Sequence, residues 1–422
     1  MSRLRVSYIL LHFPYLTETF VAEEIHAVRS QDVDVEIISL LRPGPGPVQP
    51  LSKQLLHYVW YAPGLLSPHL WRAQFYFLLR SPRLYANLLM RLLRQPYPRG
   101  RLMLLGKRLV IFLKAVAVAH HLRDRDVHLL HAHFAWLPGA AAWVCARLLD
   151  VPLTVTVHAY DIYYSNDLLP LIVGEVDRVV AISDYNRQQV AAVGTGSGEG
   201  ISVIHCGVNL GPFRPRPPAG LERSVGEPIR ILSVGSLVAK KGHSYLIAAC
   251  HLLKQRGEDF VCTIIGGGPD EPALRQQIKE YGLQDQTELL GARPHPEIVT
   301  AYRQHDLFVL ASVVTPDGDR DGIPVVLMEA GAAGLPLVST DVSGIPELVR
   351  HGETGWLVPP GDSNALADAI AALAADPALC MRLGQNARAL VEAEFNIEGN
   401  ALRLVKLFDA TRQRWQDNRR AK

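Results

Sequence analysis

What this sequence has little of already narrows its class. It has only five cysteines (Cys145, Cys206, Cys250, Cys262, Cys380), an odd number without close spacing. A disulfide framework and a CxxC metal site are excluded, and a reducing cytoplasm is the expected compartment. Net charge is almost absent: 43 Lys and Arg against 41 Asp and Glu leave +2. Chains that bind nucleic acid carry a larger basic excess, so nucleic acid is not an expected partner. No run of about 18 uncharged apolar residues occurs. The longest candidate, residues 103–122, is cut by Lys107, Arg108 and Lys114. Residues 1–6 pass straight into a strand-like stretch, so no signal peptide is expected. Two nucleotide signatures are missing as well. The first strand-like run ends in Leu11-His12-Phe13-Pro14 where a dinucleotide fold needs G-x-G-x-x-G, and no G-x-x-x-x-G-K-[ST] exists.

What is present is ample core-forming material. Of 422 residues, 48% are hydrophobic and 20% charged, enough for two packed domains. Short β-branched runs alternate with helical stretches. Residues 5–10, 33–38, 127–131, 153–157, 179–182 and 201–204 read as strands of a first parallel sheet. After a Pro- and Gly-rich stretch at 211–228, the pattern restarts at 229–234, 260–265, 287–290, 307–310 and 336–339. The expected fold is therefore α/β, with two Rossmann-like doubly wound domains facing across a cleft. The boundaries expected are 1–210, a linker at 211–228, a second domain at 229–395, and a final segment at 396–422.

One segment departs from the charge balance. Residues 68–125 hold twelve Lys and Arg and a single acid, Asp124, interleaved with Trp71, Phe75, Tyr76, Leu78 and Leu79. Two readings stand: basic amphipathic helices lying on an anionic membrane surface, or helices packed on the first sheet with solvated Arg heads.

The densest chemistry lies in residues 316–361. Pro324 reads as the first position of a helix running to about Ala333 and stopped at Gly334. Gly322 and Ile323 then present amides at a helix N-terminus, where a diphosphate binds readily. Asp321 precedes that helix and Glu329 lies about two turns inside it, so the two carboxylates bracket a ligand. Upstream, Gly235-Ser236 lead from a strand to Lys240-Lys241, either of which can place a point charge on phosphate. Gly266-Gly267-Gly268 form another strand-to-helix turn whose glycines permit close approach of a ligand to backbone. Asp317-Gly318-Asp319 is similar to a metal-binding Asp-x-Asp, but it directly precedes the acid pair. His131-Ala132-His133 lacks a third metal ligand at sensible spacing. No metal and no cofactor are expected. In the first half, His12, Thr17, Glu18, His133, His158 and Asp161 fall at or just beyond strand ends, where side chains face a ligand crevice.

Taken together, residues 235–242, 266–269, 321–329 and Ser343-Gly344-Ile345-Pro346-Glu347 resemble the retaining glycosyltransferases of family 4, of GT-B architecture. The stretches 13–20 and 317–324 resemble its colanic-acid and exopolysaccharide members. The resemblance implies transfer of a sugar from a nucleotide-diphosphate sugar to a saccharide or polyprenyl-linked acceptor. It implies that Lys241 neutralises the diphosphate, that Glu329 bonds the ribose, and that Asp321 with the Gly322 and Ile323 amides holds the donor sugar. His158 would reach that sugar from the acceptor domain, and the segment after Phe395 would cross back onto that domain. Gly235, Ser236, Lys240, Gly267, Gly268 and Pro324 complete the donor set, while His12, Thr17, Glu18, His133 and Asp161 stand on the acceptor side. Two positions depart from the family pattern: Asp321 where Glu is usual, and Ser236 where Arg is usual. A sugar-nucleotide epimerase of the same fold, or an inactive sugar-nucleotide-binding homologue, are the competing readings.

Overall fold

A computed structural model of the chain describes residues 3–15, 18–44, 46, 48–96, 102–163, 166–193, 200–214 and 227–421. The chain divides into two compact units, Met1–Cys206 with Asn400–Lys422, and Gly207–Gly399. Most of the linker expected at 211–228 lies outside the described residues.

The first unit is built on a seven-stranded parallel sheet. Its strands are β1 (Arg5–His12), β2 (Asp34–Leu41), β3 (Val59–Tyr61), β4 (Leu129–His133), β5 (Leu153–Val157), β6 (Arg178–Ala181) and β7 (Ile201–Val203), in the order β3-β2-β1-β4-β5-β6-β7. The second unit repeats the idea with six strands. These are β8 (Ile229–Val234), β9 (Phe260–Ile265), β10 (Thr287–Gly291), β11 (Leu307–Leu310), β12 (Leu337–Thr340) and β13 (Gly355–Val358), in the order β10-β9-β8-β11-β12-β13. Strands covered on both faces bury nearly every side chain, as β4, β5 and β11 do. In each sheet the order reverses beside the first strand, at β1/β4 and β8/β11, the switch points at which doubly wound sheets take ligands. The edge strands β3 and β13 are the two that the sequence pattern does not announce.

The basic segment forms three helices, Pro68–Arg80, Pro82–Leu93 and Leu102–Leu122. Leu70, Ala73, Phe77, Leu88 and Leu92 bury one face of the first two in the core of the first unit. Two of the basic residues are structural. Arg108 is buried against Asp167 and the carbonyls of Gln95 and Pro96, and Lys114 donates to the Pro63 carbonyl at 3.1 Å. The last helix, Ile397–Arg420, starts in the second unit and passes into the first at Asn400. There Phe408 packs against His131 at 4.9 Å and Tyr8 at 6.3 Å between ring centroids.

Candidate functional site

In the second unit the site is assembled by a close approach of two turns. Beyond β8, residues Ala239–Lys241 make one 3-10 turn, and Gly242 starts the helix His243–Gln255 with φ +67°. A Cβ at Gly242 would stand 1.7 Å from the Ala311 carbonyl oxygen, so only glycine lets this turn lie against the end of β11. The Val313 amide then donates to the Lys240 carbonyl at 2.9 Å. That docking sets the two lysines opposite the loop that follows β11. Lys241 Nζ lies 2.8 Å from Asp321 Oδ2, an ion contact without hydrogen-bond alignment. Lys240 Nζ donates to Asp319 Oδ1 at 3.1 Å and stands 3.9 Å from Asp321 Oδ1. The Lys241 and Asp321 side chains are only 14% and 13% exposed, so little water screens them.

Beside this charge cluster begins the helix Val325–Ala332. Pro324 is its N-cap, with ψ 130°, and not its first residue as the sequence suggested. No side chain caps it, so Asp321 does not serve as a cap; its carboxylate faces the lysines instead. Gly322 and Ile323 therefore lie before the N-cap, outside the helix N-terminus where the sequence placed them, and their amides have no protein acceptor among the described residues. Gly334 closes the helix with φ +77°, as its place in the sequence suggested. Glu329, about one turn in and not two as the sequence suggested, accepts from His295 Nε2 at 3.0 Å and from Tyr302 OH at 2.9 Å. Burial and the nearby Glu329 charge push the Tyr302 phenol well above its usual range. His295 and Tyr302 sit on an ordinary amphipathic helix, His295–Gln304, and carry no sequence signal.

The glycine turn after β9 works differently from its first reading. Cβ atoms at Gly266 and Gly268 would stand 1.8 Å from the Gly235 carbonyl oxygen and 2.3 Å from that of Leu237. These glycines admit backbone to backbone, locking the β8 and β9 turns together; Gly267 has room, with Ala292 Cβ at 3.5 Å as its nearest neighbour. Gly235 leaves space beside Lys241 and His243. Ser236 presents no cation where the family pattern has one. Of the Asp-x-Asp, Asp319 is committed to Lys240, while Asp317 accepts from the Thr315 hydroxyl at the exposed end of the loop.

In the first unit the polar residues at the strand ends form one network. Parallel register sets His131 opposite Thr154 and His133 opposite Thr156. His131 Nδ1 is 2.8 Å from Thr154 Oγ1, and its Nε2 is 3.1 Å from Thr156 Oγ1. His133 Nδ1 is 3.0 Å from His158 Nε2, and its Nε2 is 3.0 Å from Glu24 Oε1. Tyr8 OH donates to the same Glu24 oxygen at 3.1 Å. Burial drives the imidazoles of His131 and His158 well below their usual range, with the neighbouring His133 adding to the effect. Glu24, 107 residues before His131, is the third donor that sequence spacing did not reveal: donor atoms of Glu24, His131 and His133 lie within 4.8 Å of one another.

Two residues expected to touch an acceptor prove to be enclosed. His133 is 0% and Asp161 1% exposed, which gives both a supporting place behind the surface. Asp161 Oδ2 accepts the His158 amide at 2.9 Å while Oδ1 has no partner, and burial pushes the carboxyl up to about 7. Glu18 stands before the helix Thr19–Ser30, its carboxyl raised by burial and partly lowered by His133. His12, lowered by burial, stacks on Tyr15. Thr17 lies outside the described residues.

Comparison with known proteins agrees with this architecture. Residues 17–211 match the family model described as Glycosyltransferase Family 4, and residues 222–390 match Glycosyl transferases group 1. WcaL of Escherichia coli K12, a glycosyltransferase named for colanic acid biosynthesis, is 33% identical over 432 residues, 96% of this chain and 100% of that one. The amylovoran biosynthesis glycosyltransferase AmsK of Erwinia amylovora is 40% identical over 227 residues, 54% of each chain. Among solved structures, Anabaena Alr3699/HepE in complex with UDP superposes with a TM-score of 0.70 at 17% identity, covering 96% of this chain and 100% of that one. The fold shared with such structures is GT-B.

Proposed function

We propose that this chain, which belongs to the family 4 and group 1 glycosyltransferases, moves a sugar from a nucleotide-diphosphate sugar to a saccharide acceptor in the making of a surface polysaccharide. The single observation that carries the donor reading is the charge cluster of the second unit. Lys240 and Lys241 are held by Asp319 and Asp321, and the next residues, Gly322 and Ile323, have amides with no protein acceptor among the described residues. A departing nucleoside diphosphate gathers negative charge, and fixed cations and amides stabilise it without a metal. Lys240 takes the place of the cation that Ser236 does not provide. Asp319 and Asp321 keep both lysines extended toward that site until phosphate competes for them. Transfer proceeds with retention, the departing phosphate taking the acceptor proton, since Glu24 and Asp161 are both engaged in holding histidines. The polysaccharide role rests on the names of AmsK and WcaL.

The test is a thermal-shift screen against UDP- and GDP-sugars, followed by transfer assays. A donor at 100 times its Kd adds about 2.7 kcal/mol to the stability of the unit that binds it. Lys241→Ala should remove a charge-assisted contact of about 1.5–3 kcal/mol, weakening donor binding about 10- to 150-fold with the fold intact. Wild-type donor affinity in that variant refutes the assignment.

A lipid-linked acceptor is part of the proposal, and with it attachment to an anionic membrane surface. No helix among the described residues is long and apolar enough to cross a membrane. On the helix Pro68–Arg80, however, Trp71, Phe75, Leu78 and Leu79 share one outward face, exposed by 47%, 64%, 41% and 84%. Arg72, Arg80 and Arg83 flank it. Such a face suits the headgroup boundary, with about 1 kcal/mol for each Lys or Arg at an anionic surface. Co-sedimentation should be strong with phosphatidylglycerol vesicles at low salt, weak at high salt, and lost in a Trp71→Ala/Phe75→Ala variant. Equal recovery with neutral and anionic vesicles makes the segment a packed, solvated face.

A further inference from the structure

We infer that Glu24, His131 and His133 form a zinc site in the first unit. The sequence alone predicts no metal, because His131-Ala132-His133 has no third ligand near it; the fold brings that ligand from the helix Thr19–Ser30. The inference does not depend on the donor reading, since these residues belong to the first unit and the two lysines to the second.

The site is assembled at the β1/β4 switch point. His131 and His133 are alternate residues of β4, so their side chains leave the same face of the sheet. One carboxylate oxygen, Glu24 Oε1, faces both rings, with His133 Nε2 at 3.0 Å and His131 Nε2 at 3.9 Å. Two ligands of a tetrahedral zinc, each about 2.1 Å from the ion, stand about 3.4 Å from one another, a value that lies between these two distances. Donor atoms of all three residues lie within 4.8 Å of one another, so small side-chain shifts gather them round a single ion. The outer partners that orient metal ligands are in place as well. Thr154 Oγ1 is 2.8 Å from His131 Nδ1, and His158 Nε2 is 3.0 Å from His133 Nδ1, each on the far side of the ring from Glu24. Tyr8 OH is 3.1 Å from Glu24 Oε1. Every ligand thus has a neighbour that fixes its direction. Two imidazoles and a carboxylate suit zinc, whereas magnesium and calcium take oxygen ligands. Both histidine side chains are 0% exposed, but that of Glu24 is 20% exposed, which gives the ion its way in. A three-ligand set leaves zinc one further position for water. Bound there, zinc cross-links the helix Thr19–Ser30 to β4.

The experiment uses the full-length chain, stripped with EDTA, dialysed and titrated with zinc sulfate by calorimetry. Bound metal is then counted by mass spectrometry after a second dialysis. The wild type should retain one zinc per chain, and its melting temperature should rise with zinc. An outer partner alone is worth about 10- to 100-fold in metal affinity, so loss of a ligand in Glu24→Gln or His133→Gln should weaken zinc by at least about 100-fold. X-ray absorption at the zinc edge should show nitrogen and oxygen ligands with the scattering of two imidazoles. Absence of stoichiometric zinc from the wild type overturns the inference. Equal zinc affinity in both variants overturns it too, because the ion then sits on other residues, and so does retention of magnesium in place of zinc. If the variants do not fold, the wild-type stoichiometry and absorption spectrum decide, and a sulfur ligand or a single imidazole refutes the site. None of these readings needs a sugar nucleotide, so failure of the donor reading, seen in Lys241→Ala binding, is a separate result.

Discussion

Asp161→Asn should make this protein more stable at neutral and alkaline pH, and the gain should vanish on acidification. Asp161 is 1% exposed, with one oxygen on the His158 amide and the other without a partner. Burial raises its carboxyl from 3.8 in the unfolded chain to about 7 in the fold. Between those values the folded state holds a proton that the unfolded state has released. The folded state is therefore favoured fully below about pH 4, and that contribution drains away as pH rises through about 7. A shift of about 3 pH units corresponds to on the order of 4 kcal/mol lost by pH 8. Asn keeps the oxygen that accepts from His158 and never ionises. It leaves an amide group where Oδ1 had no partner, at a cost of about 1–3 kcal/mol that does not vary with pH. The variant should thus gain about 1–3 kcal/mol over wild type at pH 8 and lose by about the same amount at pH 4.

Urea unfolding of both proteins at unit steps from pH 4 to 8 is the assay, with the difference between them as the quantity read. Taking the difference removes the titrations common to both chains. It should climb by up to about 1.4 kcal/mol per pH unit between 4 and 7 and then level off. The change belongs to the transition of the first unit, which holds Asp161. A flat difference across this range refutes the reasoning, because it would mean that Asp161 is not held in its neutral form by burial.

Other outcomes follow from the second unit. Asp321→Asn should lower turnover about 10- to 150-fold, the worth of a charge-assisted contact of about 1.5–3 kcal/mol, with a smaller effect on donor binding. Asp321→Glu should remain active, because it keeps the charge facing Lys241; full activity in the Asn variant removes Asp321 from the chemistry. His243 is 3% exposed beside Lys241, with Nε2 unpartnered, and burial followed by that charge lowers it to about 4. Its contribution is whole above about pH 6.5 and is lost as pH falls through about 4, opposite in sign to Asp161. His243→Gln should flatten stability against acid in that window, and urea titrations at pH 4, 5, 6 and 7 would show an unchanged slope if the ring is not buried neutral.

What the sequence discloses here depends on how far apart the cooperating residues lie along the chain. Central strands bury both faces, so β1, β4, β5, β8, β9 and β11 are short runs rich in Leu, Ile and Val that a reader of the sequence can see. The edge strands β3 (Val59–Tyr61) and β13 (Gly355–Val358), three and four residues long and only partly covered, escape that reading, although the equally short edge strand β7 (Ile201–Val203) does not. The donor-side residues are legible for a similar reason. Glycines at 242, 266 and 268 are required by carbonyl approaches that no other residue tolerates, and Lys241 and Asp321 flank those turns. The reason assigned to Gly266 and Gly268 was nevertheless a ligand, where the backbone itself is the neighbour. The helix at Val325 shows the finer limit: proline fits the N-cap as well as the first turn, so its presence locates the start only to one residue. Beyond that, pairing across the fold is silent in the sequence. Glu24 looks like any solvent-facing acid in an amphipathic helix, and His295 and Tyr302 like ordinary residues of another. Only the sheet order that places β1 beside β4 brings Glu24 and Tyr8 to His133, and only the docking of the helix His295–Gln304 on Val325–Ala332 brings two partners to Glu329. A motif names a side chain that needs a particular local turn; its hydrogen-bond partners are contributed from elsewhere in the chain, as Glu24 comes within 3.0 Å of His133 across more than a hundred residues.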